Sequence, residues 1–73
     1  MRSEDGVVGR EMVIRVLTEN GVSVTPQKNT DLGNLVLAKN GTLEVRKFED
    51  EVGRKLVRAL SMKFEIPIHF FYA

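Results

Sequence analysis

The stretch LVLAKNGTLEV, Leu35 to Val45, sets two alternating apolar runs on either side of Lys39-Asn40-Gly41. Alternation of this kind is the mark of strands with one face buried, and Asn-Gly between two such runs is a strong hairpin signal. Which residues face the core depends on the register, because a slip of one residue moves every side chain to the opposite face. A two-residue Asn40-Gly41 loop would set Val36 opposite Val45 and Ala38 opposite Leu43, with Leu35 and Leu37 sharing a face with Glu44 and Arg46. A three-residue loop, with Gly41 left-handed in a G1 bulge, would set Leu37 opposite Leu43 and Leu35 opposite Val45. The second register gathers the four largest apolar residues on one face. A small domain needs such a face, so the sequence predicts the three-residue loop.

Downstream of the hairpin, Phe48, Val52, Leu56, Leu60 and Phe64 recur every fourth residue. That spacing predicts an amphipathic helix of about four turns, ending by Glu65 because Ile66 precedes a proline. Glu49, Asp50 and Glu51 would lie at its start, complementing the helix dipole, with Asp50–Arg54 and Glu51–Lys55 as supporting pairs one turn apart. Upstream, Met12, Val13, Val16 and Leu17 follow helical spacing from Gly9 to Asn20, and Gly21 suits the left-handed position that closes a helix. Val22 to Thr25 alternates briefly before Pro26 and predicts a short strand; Gln27 to Gly33 reads as a polar loop. The expected fold class is α+β: two helices packed on one face of a three-stranded antiparallel sheet, in the order α-β-β-β-α. A short C-terminal helical turn, or failing that an edge strand, follows.

Seventy-three residues make one domain, 1–73, with residues 1–8 expected to be flexible. A chain this short buries only about 60% of its extended-state surface, so nearly every large apolar residue must serve one core. Eleven Lys and Arg against ten Asp and Glu leave a net charge of +1, which gives no overall field to draw in nucleic acid or a membrane. With no cysteine there is neither a disulfide framework nor a thiolate metal site, and the composition suits a reducing cytoplasm. No apolar run approaches the roughly 20 residues that span a bilayer.

The tail FEIPIHFFYA, Phe64 to Ala73, holds the only histidine and most of the aromatics. Pro67 fits the opening position of a helical turn, which would turn Ile68, Phe71 and Tyr72 inward and His69 outward. In either tail conformation one of Phe70 and Phe71 is left outside beside His69. His69 has no serine in a nucleophile-elbow context and too few companion ligands for a metal, so neither a catalytic role nor a metal or other cofactor is expected. Two surfaces are candidates for binding. Arg54, Lys55 and Arg58 share the outer face of the second helix and suit weak contact with RNA phosphates. Met62, His69, Phe70 and Phe71 suit a protein partner or a weak homodimer.

The helix ending in LTENG, the hairpin and the segment LVRALSMKFEIPIHFF together resemble the HicA-type toxins over roughly Gly9 to Tyr72. The resemblance implies a double-stranded-RNA-binding-like fold. Those toxins cleave messenger RNA with a histidine in a Gly-Ser-His segment on an early strand. The corresponding KNTDLGNLVL contains no histidine, and His69 lies after the second helix. The resemblance therefore carries the fold and not the catalysis. The expected function is a non-catalytic module that engages protein, with an RNA-binding module or a diverged HicA-like ribonuclease as alternatives.

Overall fold

A computed structural model describes residues 6–26 and 34–72. The predicted polar loop at 27–33 lies outside the described residues. The elements are β1 (Val8–Gly9), α1 (Arg10–Glu19), β2 (Ser23–Pro26), β3 (Asn34–Lys39), β4 (Thr42–Lys47), β5 (Glu51–Val52) and α2 (Arg54–Phe64), followed by a 3-10 turn over Ile68–Tyr72. β2, β3 and β4 form an antiparallel sheet in that order, and β1 pairs with β5 in a separate two-stranded clasp. This is the expected α+β domain with its C-terminal turn helical.

Helix α1 buries Val13, Val16 and Leu17. It closes as the sequence predicts: Gly21 has φ +89°, and the Val22 and Gly21 N–H groups donate to the Leu17 and Thr18 carbonyls at 2.9 and 3.1 Å. That pair of bonds is a Schellman closure, which satisfies two carbonyls at the helix end that would otherwise lack partners.

The hairpin takes the other register. Val36 lies opposite Val45, Ala38 opposite Leu43, Leu37 opposite Glu44 and Leu35 opposite Arg46, so the loop is the two-residue Asn40-Gly41. Both loop residues have positive φ, +50° and +86°. That is the backbone of a type I′ turn, whose twist matches the strands it joins and which Asn-Gly adopts at little cost. Local turn chemistry has prevailed over the gathering of apolar residues. Gly41 is left-handed and Leu37 is buried as expected, but Leu43 is 62% exposed and Val45 44%. Residues facing one another across the ladder share a side of the sheet. The side toward the helices therefore carries Val24, Leu35, Leu37, Glu44 and Arg46, and the far side carries Val36, Ala38, Leu43 and Val45.

The second helix is shorter than the spacing predicts. Phe48 and Val52 are buried at 3% and 2% exposure, yet neither is helical: β5 ends at Val52, and Gly53 is extended at φ −73°, ψ 163° before α2 begins. Phe48 follows β4 and a bend at Asp50 separates it from β5, so the two residues reach the core from separate segments although their spacing is that of one helical turn. Glu49 to Glu51 therefore lie outside the helix, and the predicted Asp50–Arg54 and Glu51–Lys55 helical pairs do not form. Arg54 and Lys55 occupy the first turn, at the positive end of the dipole, and no acidic residue shares that turn. Glu65 closes α2 in the left-handed region at φ +57°, and the Ile66 N–H donates to the Ser61 carbonyl at 3.0 Å.

The clasp ties the starts of the two helices together. Val8 pairs with Val52 and Gly9 with Glu51, and the Arg10 N–H donates to the Asp50 carbonyl at 3.0 Å. Val8 is a core residue at 6% exposure, so the segment expected to be flexible contributes its last residue to the core; residues 1–5 lie outside the described part. In the C-terminal tail Ile66 and Phe71 seal the core, with Ile68 partly buried against it. Tyr72, predicted inward, instead lies at the surface, where its hydroxyl donates to the Gly6 carbonyl at 2.7 Å. Phe71 is wholly apolar and takes the interior place, while the tyrosine keeps its polar end in reach of water. No helix among the described residues is long and apolar enough to cross a membrane.

Candidate interaction surface

The basic trio lies on α2 as the sequence places it, with Arg54, Lys55 and Arg58 all exposed. Its setting differs from expectation, since two of the three begin the helix instead of following an acidic turn. Arg54 also has a structural duty. A Cβ added at Gly6 would stand 2.8 Å from Arg54 Cβ and 2.9 Å from its Cδ, so the arginine stem lies directly on the glycine backbone. Gly6 itself has φ +93°. The guanidinium is left as the part available to a ligand.

The second predicted surface is divided by the structure. Phe71 is 1% exposed and belongs to the core, so it cannot contact a partner. Its predicted partners stay outside: Met62 is 72% exposed and Phe70 38%. The His69 and Phe70 rings meet edge to face at 4.9 Å and 88°. That contact already covers part of the phenylalanine, and single exposed aromatics are common on ordinary surfaces.

A cleft of about 280 Å³ opens between the hairpin loop and the end of α2, lined by Lys39, Asn40, Thr42, Lys63, Phe64 and Glu65. Its cations are engaged. Lys39 Nζ donates to the Phe64 carbonyl at 3.2 Å, at the negative end of the helix. Lys63 Nζ reaches Glu44 Oε1 at 3.1 Å, while Arg46 Nε reaches Glu44 Oε2 at 2.7 Å. The hydrogen bond from Lys63, followed by that from Arg46, holds the Glu44 carboxyl below its ordinary value against partial desolvation. The cleft thus fastens the sheet to α2.

The residues missed by sequence reasoning are those of the far side of the sheet. Val36, Ala38, Leu43 and Val45 form an apolar strip across two strands, with the short polar side chains of Ser23 and Thr25 beside it on β2. None of the four belongs to the buried cluster, nor to the partly buried residues packed on it. The strip reaches the open edge of β4, which pairs with β3 alone among the described strands. The Asn40-Gly41 dipeptide was the signal that could have found it, since a two-residue loop turns these side chains outward.

Compared with protein-family models, curated proteins and solved structures, the chain matches none.

Proposed function

We propose that this protein is a non-catalytic binding module that engages protein through the far side of its three-stranded sheet. The observation that carries this reading is the exposure of Leu43 and Val45, 62% and 44%, beside Val36 and Ala38 on a face that neither described helix covers. Fully burying an exposed Leu or Val is worth about 1.5–3 kcal/mol. Two such residues in the middle of an interface would supply much of the drive for a weak complex, before association costs. A contiguous apolar strip with a polar margin marks a contact surface more strongly than the lone Phe70. The absence of cysteine suits work in a reducing compartment such as the cytoplasm.

Affinity capture from the source cell tests the reading, with Leu43→Lys and Val45→Lys variants that keep the native circular dichroism. The same proteins should be recovered by the wild type and lost by both variants. Equal recovery by all three would refute the assignment of this face.

A second reading, RNA binding, is favoured by one observation: Arg54 and Lys55 stand in the first turn of α2, where the helix dipole adds to their charge. Two or three phosphate contacts give a slope of about −2 to −3 in the logarithm of affinity against the logarithm of salt. Replacing Arg54, Lys55 and Arg58 by alanine should abolish that slope. The third reading, a diverged HicA-like ribonuclease, would require RNA cleavage that disappears in His69→Ala.

A further inference from the structure

We propose that the partner is a second copy of this chain, joined along β4 in an antiparallel register centred on Val45, so that two three-stranded sheets become one of six strands. The inference rests on the binding-module reading and names a partner for the open edge of the same sheet, where the apolar strip ends. Of the sheet's two edges, β2 is four residues long and ends on Pro26, which has no N–H to offer. β4 is six residues long, contains no proline and has no second neighbour among the described residues. Beside a two-residue loop the flanking pair, Lys39 and Thr42, is the hydrogen-bonded one, and the two kinds of pair alternate along the ladder from there. Thr42, Glu44 and Arg46 therefore bond toward β3. Leu43, Val45 and Lys47 turn their N–H and C=O groups to the open edge.

Charge selects the register. A two-fold pairing that keeps the apolar strips of both copies on one side must be centred on a residue, because facing residues share a side. Centred on Arg46, the two arginines oppose one another, and centred on Glu44, the two glutamates do. Centred on Val45, each Glu44 meets the Arg46 of the other copy, and this happens twice. In the same register Val45 faces its own counterpart, and Leu43 faces Lys47, whose aliphatic stem would extend over it. The outward backbone groups of both strands also meet in hydrogen-bonded pairs. Charged residues on the inner side of an edge strand ordinarily discourage pairing, since a foreign strand would leave them unmatched. Here Glu44 is already bonded to Lys63 and Arg46 of its own chain, and a copy of the same strand adds an opposite charge across the seam, an arrangement that favours this strand over one of other sequence.

The chain's lack of cysteine makes the register directly measurable. In the Val45-centred dimer the two Val45 Cα atoms lie about 5.5 Å apart, within the roughly 4.4–6.8 Å that a disulfide spans. The two Glu44 positions are diagonal neighbours, about 7–8 Å apart, and fall outside it. Mild oxidation should crosslink Val45→Cys and not Glu44→Cys. The Leu43, Val45 and Lys47 amides should gain protection from hydrogen exchange as protein concentration rises, and Glu44→Arg combined with Arg46→Glu should dimerise where Glu44→Arg alone does not. Crosslinking of Glu44→Cys in place of Val45→Cys would overturn the register. A dimer whose three edge amides exchange at the monomer rate would overturn edge pairing in favour of face-to-face stacking. A wild type that sediments as a monomer at high micromolar concentration would overturn the second copy as partner. The wider reading would then stand or fall separately, on whether Leu43→Lys loses its captured proteins.

Discussion

The two sides of the central sheet reverse the usual assignment along β4. Toward the helices the strand presents Glu44 and Arg46, and toward the exterior it presents Leu43 and Val45. On β3 the inner side is conventional, with Leu37 fully buried and Leu35 partly so. The contrast teaches that one strand's burial does not dictate its neighbour's. The turn joining them sets the pairing, and the neighbour accepts what the pairing imposes. β4 tolerates its inner charges because Lys63 and Arg46 both bond Glu44, whose side chain is only 17% exposed. The apolar residues displaced to the exterior become the surface on which function is proposed.

The largest effect expected from this contrast is on the stability of the two leucines. Leu37→Ala on the inner side should cost about 2–5 kcal/mol in a denaturant titration, which would leave a domain of this size close to unfolding at room temperature. Leu43→Ala on the outer side should change stability by no more than about 0.5 kcal/mol. Similar costs at both sites would break the comparison.

A smaller effect should arise at the turn that creates the two sides. Gly41→Ala forces a side chain into φ +86° and should cost about 1–2 kcal/mol, since left-handed backbone is strained for other residues. Gly9→Ala is the control: Gly9 has φ −62°, and nothing lies within 4 Å of an added Cβ. It should be near neutral. Thermal melts of the two variants would show the difference, and equal melting points would remove the turn as the origin of the register.

The smallest effect concerns pH. The bonds from Lys63 and Arg46 depress the Glu44 carboxyl in the folded state, so their contribution is present above the ordinary value of 4.5 and is lost as the pH falls below it. Glu44→Gln should lower stability at neutral pH by about 0–1 kcal/mol and flatten the decline between pH 4.5 and more acidic conditions. An unchanged acid profile in Glu44→Gln would mean that the inner charges of β4 contribute nothing to holding the sheet on α2.

Much of the architecture was legible from residues 9 to 26 and 34 to 72. The α1 stripe, the Gly21 closure, the hairpin and the end of α2 before Pro67 all follow from local chemistry that the sequence states openly. Two features did not follow. The register departs from the one apolar burial favours because Lys63, distant in sequence, neutralises Glu44 on the inner side. The β1–β5 clasp was missed because two-residue strands have no periodicity, and the four-residue spacing of Phe48 and Val52 continues that of α2 across the bend at Asp50. In the candidate site, the exposure of Arg54, Lys55, Arg58 and Met62 was readable, and so was that of one phenylalanine beside His69. Phe71 was grouped with the surface because the tail alone leaves open which phenylalanine turns in. The outer strip was hidden by the same misjudged register.

The clasp has a kinetic consequence. The hairpin joins neighbours in sequence and can form within about 1–10 μs, as isolated hairpins do. Val8 and Val52 are far apart in the chain, so their pairing must wait until the intervening segment has been gathered and its loop-closure entropy overcome. The clasp should therefore close only after the rate-limiting barrier, with the hairpin already in place when that barrier is crossed. Substitutions in the hairpin would then slow folding, and Val8→Ala or Val52→Ala would chiefly hasten unfolding.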